Sequence, residues 1–143
     1  MTILKHHIFA HAAPAWGHNK PLIALAVLIT EARPDVVVTV VTNQAVYPKA
    51  IRELMNLSGE RRVSIRQRIH IIDVVGQTDE LMFFFPQVNA AFEGLFKRSG
   101  TIKCMSSGQV VVASNLPRPT LAIIDLPKMM YQSCLGSLAP PEA

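Results

Sequence analysis

The chain has 143 residues, half of them apolar, with 14 basic and 10 acidic side chains and a formal net charge of +4. That length suits one domain with a buried core and excludes two, so chemistry needing a cleft between two lobes is not completed within it. The charge is modest and dispersed, whereas a nucleic-acid surface concentrates Lys and Arg on one face with aromatics between them. The one dense basic run, 61–68, holds no aromatic residue and reads as a solvated surface segment.

In chain order, the apolar run from Ile3 through Ile8-Phe9-Ala10 reads as a mostly buried strand. Ala12 to Gly17 breaks it, because Pro14 cannot donate to a ladder and Gly17 permits a sharp turn. His18-Asn19-Lys20-Pro21 then opens a helix, with Asn as a cap and Pro in the first turn. Leu22, Leu25, Ala26 and Ile29 fall on one helical face, and Ala24, Val27 and Leu28 widen it enough to predict cover on more than one side. Arg33-Pro34-Asp35 ends that helix.

Residues 36–42 are a continuous β-branched run, the mark of a strand buried on both faces of a parallel sheet. A loop over 43–48 leads to a second helix over 50–57, and the basic run either extends it or loops. A third strand is predicted over 69–75 and a third helix over 81–97, kinked or restarted at Pro86. Val110 to Ala113 is apolar but of no clear type, and Leu121 to Asp125 is a fourth strand closed by a carboxylate. The alternation of strands and helices predicts an α/β sandwich with a mainly parallel sheet over residues 1–127. Residues 128–143 lack periodicity and are expected to fray as a divergent tail.

Cys104 and Cys134 make no disulfide framework in a chain this long. Lys5, His6, His7 and His11 interrupt the N-terminal apolar character, which makes a poor signal peptide. The apolar stretch 21–30 is shorter than the ~20 residues that span a bilayer. The expectation is a cytoplasmic protein with no membrane span and no nucleic-acid partner.

Ligands of open parallel sheets bind beyond the carboxyl ends of the strands, where strand order reverses. Two polar residues fall at such ends: His18, after the first strand, and Asp125, closing the fourth. An imidazole oriented by a carboxylate is the arrangement of a general base. The pattern alone leaves open a helix-end His and a strand-end Asp that never meet. The loop Ala12 to His18 carries neither G-x-G-x-x-G nor G-x-x-x-x-G-K-[ST], which disfavours dinucleotide enzymes and P-loop NTPases. Trp16 and the triplet Phe83-Phe84-Phe85 are candidates to line an apolar pocket, although a Phe triplet that starts a helix is more often core. His6, His7, His11 and His70 lack a shared ligand spacing and read as strand or edge residues, with no metal.

His7-Ile8-Phe9-Ala10 and Pro14-Ala15-Trp16-Gly17-His18-Asn19-Lys20-Pro21-Leu22 together resemble the opening of a GT-B glycosyltransferase, with the UDP-glycosyltransferases of fungi as the nearest likeness. Val36 to Thr42, Tyr47-Pro48-Lys49 and Pro119 to Asp125 extend the resemblance over roughly 5–127. It implies a Rossmann-like three-layer sandwich, the acceptor-side half of an inverting UDP-sugar-dependent enzyme. It further implies that His18 takes the proton from an acceptor hydroxyl and that Asp125 orients and charge-balances it. Trp16, Gly17, Phe84 and Phe85 would then touch a small, lipophilic, hydroxylated acceptor.

UDP-sugar is the implied donor substrate, and no cofactor is expected to be bound. The donor-binding second domain of that family has no counterpart in the sequence, and the resemblance lapses after Asp125. The isolated chain is therefore expected to lack turnover. Two other readings stand beside it: a non-catalytic or regulatory half that pairs with a separate donor-binding chain, and an unrelated flavodoxin-like binding domain.

Overall fold

The β-branched run Val36–Thr42 forms β2, with all seven residues buried, and it sits inside a four-stranded parallel sheet. In the computed structural model, which describes residues 3–59, 62–76 and 81–125, the sheet order is β3-β2-β1-β6. β1 is His6–Ala12, β3 is Ile69–Asp73 and β6 is Pro119–Asp125. Three helices alternate with the first strands: α1 (Trp16–Ala32), α2 (Tyr47–Ser58) and the short α3 (Val63–Gln67). After β3 come α4 (Leu81–Lys97) and an antiparallel hairpin of β4 (Thr101–Lys103) and β5 (Val110–Val112). The tail expected over 128–143, Cys134 and Arg61 lie outside the described residues.

Alternation along the strands divides the core into two layers. Ile8, Ala10, Val38, Val40, Ile69 and Ile71 face α1 to α3, meeting Leu22, Ile23, Ala26, Val27, Ala50, Leu54 and Ile65. Phe9, Val37, Val41 and Ile72 face the other way, against Phe84, Val88, Ala91 and Leu95 of α4 and Val111 of the hairpin. The result is the three-layer α/β sandwich that the element pattern predicts.

Several local expectations are corrected. β1 continues through His11 and Ala12, and α1 begins at Trp16, so Gly17 is a helical residue and makes no sharp turn. Asn19 does not cap: its amide donates to the carbonyls of Ala13 and Ala15, at 2.9 and 2.8 Å. Pro21 and Pro86 each stand sixth in a helix that continues through them, and each leaves the carbonyl four residues back without its ladder donor. The buried face of α1 is Asn19, Leu22, Ile23, Ala26, Val27 and Thr30, while Leu25 and Leu28 are exposed. That face is one position off the purely apolar stripe, because Thr30 satisfies its hydroxyl on the carbonyls of Ala26 and Val27. α2 starts at Tyr47, with Pro48 in its first turn. Val110 to Val112 is a hairpin strand, and its partner Thr101–Lys103 had no visible signal at three residues.

The basic run is less a solvated face than a clamp. Arg66 donates to the Gly59 carbonyl, and Arg62 pairs with Glu31 of α1. Arg68 donates to the carbonyls of Thr30, Arg33 and Val36, at 2.7, 2.9 and 3.1 Å, closing the end of α1 and the entry to β2. Last-turn carbonyls have no partner within their own helix, so a guanidinium there replaces water with fixed donors. Arg68→Ala is expected to lower the unfolding free energy by about 2 kcal/mol, read from urea denaturation. A loss within ~0.5 kcal/mol of zero would place Arg68 with ordinary exposed residues.

Candidate functional site

β1 is the first strand, β2 and β3 are laid down on one side of it, and β6 returns on the other. Strand order therefore reverses between β1 and β6, and the crevice opens beyond their carboxyl ends. Ala12 and Asp125 are paired as the last residues of the two strands. Beyond them, the Ala13 N–H donates to the Asp125 carbonyl at 2.9 Å, carrying the connection one step past the sheet. The Ala15 N–H donates to the Ala13 carbonyl, and buried Asn19 donates to both, so the 13–15 loop is tied from two directions. This loop sets the start of α1 and with it the position of His18.

His18 Nδ1 lies 3.6 Å from Asp125 Oδ2, although the two residues are far apart in sequence. That separation is an ion-pair distance, longer than a hydrogen bond. The side chains are 40% and 49% exposed, so the pair is open to a ligand and its mutual attraction is screened by water. With Nδ1 turned to the carboxylate, Nε2 is the nitrogen left to exchange a proton.

The other sequence candidates fall in different places. Trp16 lines a cleft with Lys20, Lys49, Arg52 and Glu53, on the α1–α2 side. Gly17 is exposed, and a Cβ there would meet nothing within 4 Å. Phe84 is core, packed edge-on to His11 and Phe85, and Phe85 is half-buried in the same cluster. Phe83 reaches a cavity. With Val74, Val75, Gln87 and Met105 it lines a volume of about 380 Å³ on the α4 side. Val74, Val75 and Met105 escaped sequence reasoning, since they come from the β3 exit and from the hairpin turn.

Asp73, wholly buried at the end of β3, secures that hairpin turn. Its carboxylate accepts from the N–H groups of Val75 and Gly76 and from the Ser106 hydroxyl. Its backbone carbonyl accepts from the Met105 N–H. The left-handed Gly76 (φ +68) allows the chain to turn back there. These four bonds are what hold Met105 over the apolar cavity.

The remaining histidines are placed in strands. His7 is buried with both nitrogens engaged: Nδ1–H donates to the Pro117 carbonyl at 2.8 Å, and Nε2 accepts from the Thr39 hydroxyl at 2.7 Å. Burial pushes His7 and His11 down to about 4 and lowers His70 as well. His6 stands at the exposed start of β1, 3.6 Å from Asp35. Among the described residues, no three His, Cys, Asp or Glu side chains come together as a metal site. Also among the described residues, no helix is long and apolar enough to cross a membrane.

Comparison with protein-family models, with curated proteins and with solved structures gives no match to this chain.

Proposed function

We propose that this chain is the acceptor-binding half of an inverting UDP-sugar-dependent glycosyltransferase. The observation that carries the reading is the approach of His18 to Asp125, at the point where strand order reverses. An alcohol is far less acidic than an imidazolium, so its proton must leave as its oxygen attacks the anomeric carbon. His18 Nε2 accepts that proton, Asp125 holds the ring and offsets the imidazolium charge, and the nucleoside diphosphate departs from the opposite face of the sugar. The cavity lined by Phe83, Met105, Val74, Val75 and Gln87 lies at the β3 exit, on the side of the sheet away from β6, and would take only the lipophilic far end of an acceptor whose hydroxyl reaches His18. No glycine-rich phosphate loop follows β1, so the donor is assigned to a separate donor-binding lobe.

A second reading, a non-catalytic half seated on such a lobe, is favoured by one observation. β6 borders the described sheet and exposes Leu121, and Leu25 and Leu28 of α1 are exposed as well. The two readings separate in a transfer assay with UDP-glucose, a panel of phenols and sterols, and a donor-binding lobe added as a second chain. Glucoside formation that depends on His18 supports the catalytic half; transfer that ignores His18 supports the other.

Acceptor binding is tested without the donor. Phe83→Asp is expected to weaken phenol or sterol binding by roughly tenfold or more, measured by titration calorimetry, because it places a charge in the apolar wall. Unchanged affinity would remove this cavity from the account.

A further inference from the structure

The cleft beside Trp16 has a chemistry unlike that of the apolar cavity. It encloses about 320 Å³, and its lining is Trp16 and Lys20 of α1 with Lys49, Arg52 and Glu53 of α2. Three cations thus face one carboxylate, leaving two positive charges uncompensated. None of these four side chains enters an ion pair among the described residues, although Arg33, Arg62 and Lys97 each find a carboxylate.

The placement also runs against helix stability. α1 and α2 carry no acidic residue in their first turns, and Lys49 stands in the first turn of α2, where a helix favours negative charge. Lys20 and Arg52 follow within the next turn of their helices. Lys49 thus opposes the end of α2, and the three cations repel one another, a balance that an anion among them would relieve. The volume is that of a small-molecule site rather than a track for a polymer. The indole gives such a ligand a flat apolar surface.

We propose that this cleft binds a small phosphomonoester, with Lys20, Lys49 and Arg52 around the phosphate and the Trp16 indole against the organic group. A phosphomonoester carries close to two negative charges at neutral pH, the complement of the uncompensated lining. Arg52 offers a planar fork for two phosphate oxygens, and the lysines act as movable point charges. The site uses neither His18 nor Asp125 and shares only Trp16 with the acceptor contacts that the resemblance implies.

Trp16 is the chain's single tryptophan, so its fluorescence reports on this cleft. The experiment titrates the full chain with phenyl phosphate, inorganic phosphate and phenol at constant ionic strength. Phenyl phosphate is expected to give a saturable change, inorganic phosphate a weaker one and phenol none. Lys49→Gln/Arg52→Gln is expected to weaken phenyl phosphate roughly tenfold or more, as the loss of a charge-assisted hydrogen bond requires. Lys5→Gln/Lys103→Gln, which removes as much charge away from the cleft, is expected to leave the affinity unchanged.

Thermal melts of the ligand-free variants supply the second readout. Lys49→Gln/Arg52→Gln is expected to keep or raise the Tm, because it removes cations from the start of a helix. The absence of a saturable change, an equal loss in both double variants, or a phenol response matching that of phenyl phosphate would overturn the proposal. So would a lower Tm in Lys49→Gln/Arg52→Gln, which would make these cations supports of the fold. Equal affinity for inorganic phosphate and phenyl phosphate would overturn the contact with Trp16.

Discussion

His18→Ala is expected to slow glucoside formation by roughly 10²–10⁴-fold, the usual contribution of a positioned general base. The assay pairs the chain with a donor-binding lobe, UDP-glucose and a phenolic or sterol acceptor. Acceptor KM is expected to stay within about twofold, because Nε2 acts on the proton as the bond forms and contributes little to ground-state binding. Asp125→Asn is expected to cost less, about tenfold, since both partners are substantially exposed and the gap between them is 3.6 Å. A large rise in KM with an unchanged kcat would instead make His18 a binding residue.

Acid is expected to unfold this protein earlier than its carboxylates alone would require. His7 and His11 are fully buried in β1, and burial holds both near 4 against an ordinary value of 6.5. Between those values the folded chain keeps both rings neutral, while the unfolded chain takes up the protons. Their contribution is therefore fully present above pH 6.5 and is lost as pH falls from 6.5 towards 4. A depression of this size corresponds to on the order of 3 kcal/mol per histidine, against a typical domain stability of about 5–15 kcal/mol.

His70 on β3 shifts in the same direction, and its charge would further oppose that of His7. Urea unfolding followed from pH 7.5 to 4.5 checks this, with folding free energy expected to fall steeply below pH 6.5. His11→Phe, which keeps a ring among Phe9, Phe84 and Phe85, is expected to flatten part of the slope. A pH-independent stability across that range would contradict the burial argument.

The sheet was legible because its signals are dense: Val36 to Thr42 is one unbroken β-branched run, buried throughout. The buried face of α1 was less legible, because it includes Asn19 and Thr30, whose polar atoms bond to nearby carbonyls. A purely apolar reading selects Leu25 instead, which the fold leaves exposed. The hairpin escaped notice since three-residue strands such as Thr101–Lys103 are too short to display alternation. Asp73, which anchors its turn, is far away in sequence and looks like any strand-end acid.

His18 and Asp125 could be named beforehand because each follows or closes a recognisable strand, and the sheet order then brings them together. Phe83, Met105, Lys49 and Arg52 could not be grouped in advance, since their clefts are assembled from separate elements with no shared spacing. Local chemistry marks the pair, whereas only packing marks the pockets.

His18 and Asp125 are proposed to act as one unit, with the carboxylate working through the imidazole. A double-mutant cycle on the transfer rate, using His18→Ala, Asp125→Ala and the double variant, tests this most directly. The double variant is expected to be no slower than His18→Ala, so that the whole effect of Asp125 disappears once the imidazole is gone. Effects that multiply, or a His18→Ala variant as fast as the unmodified chain, would contradict it.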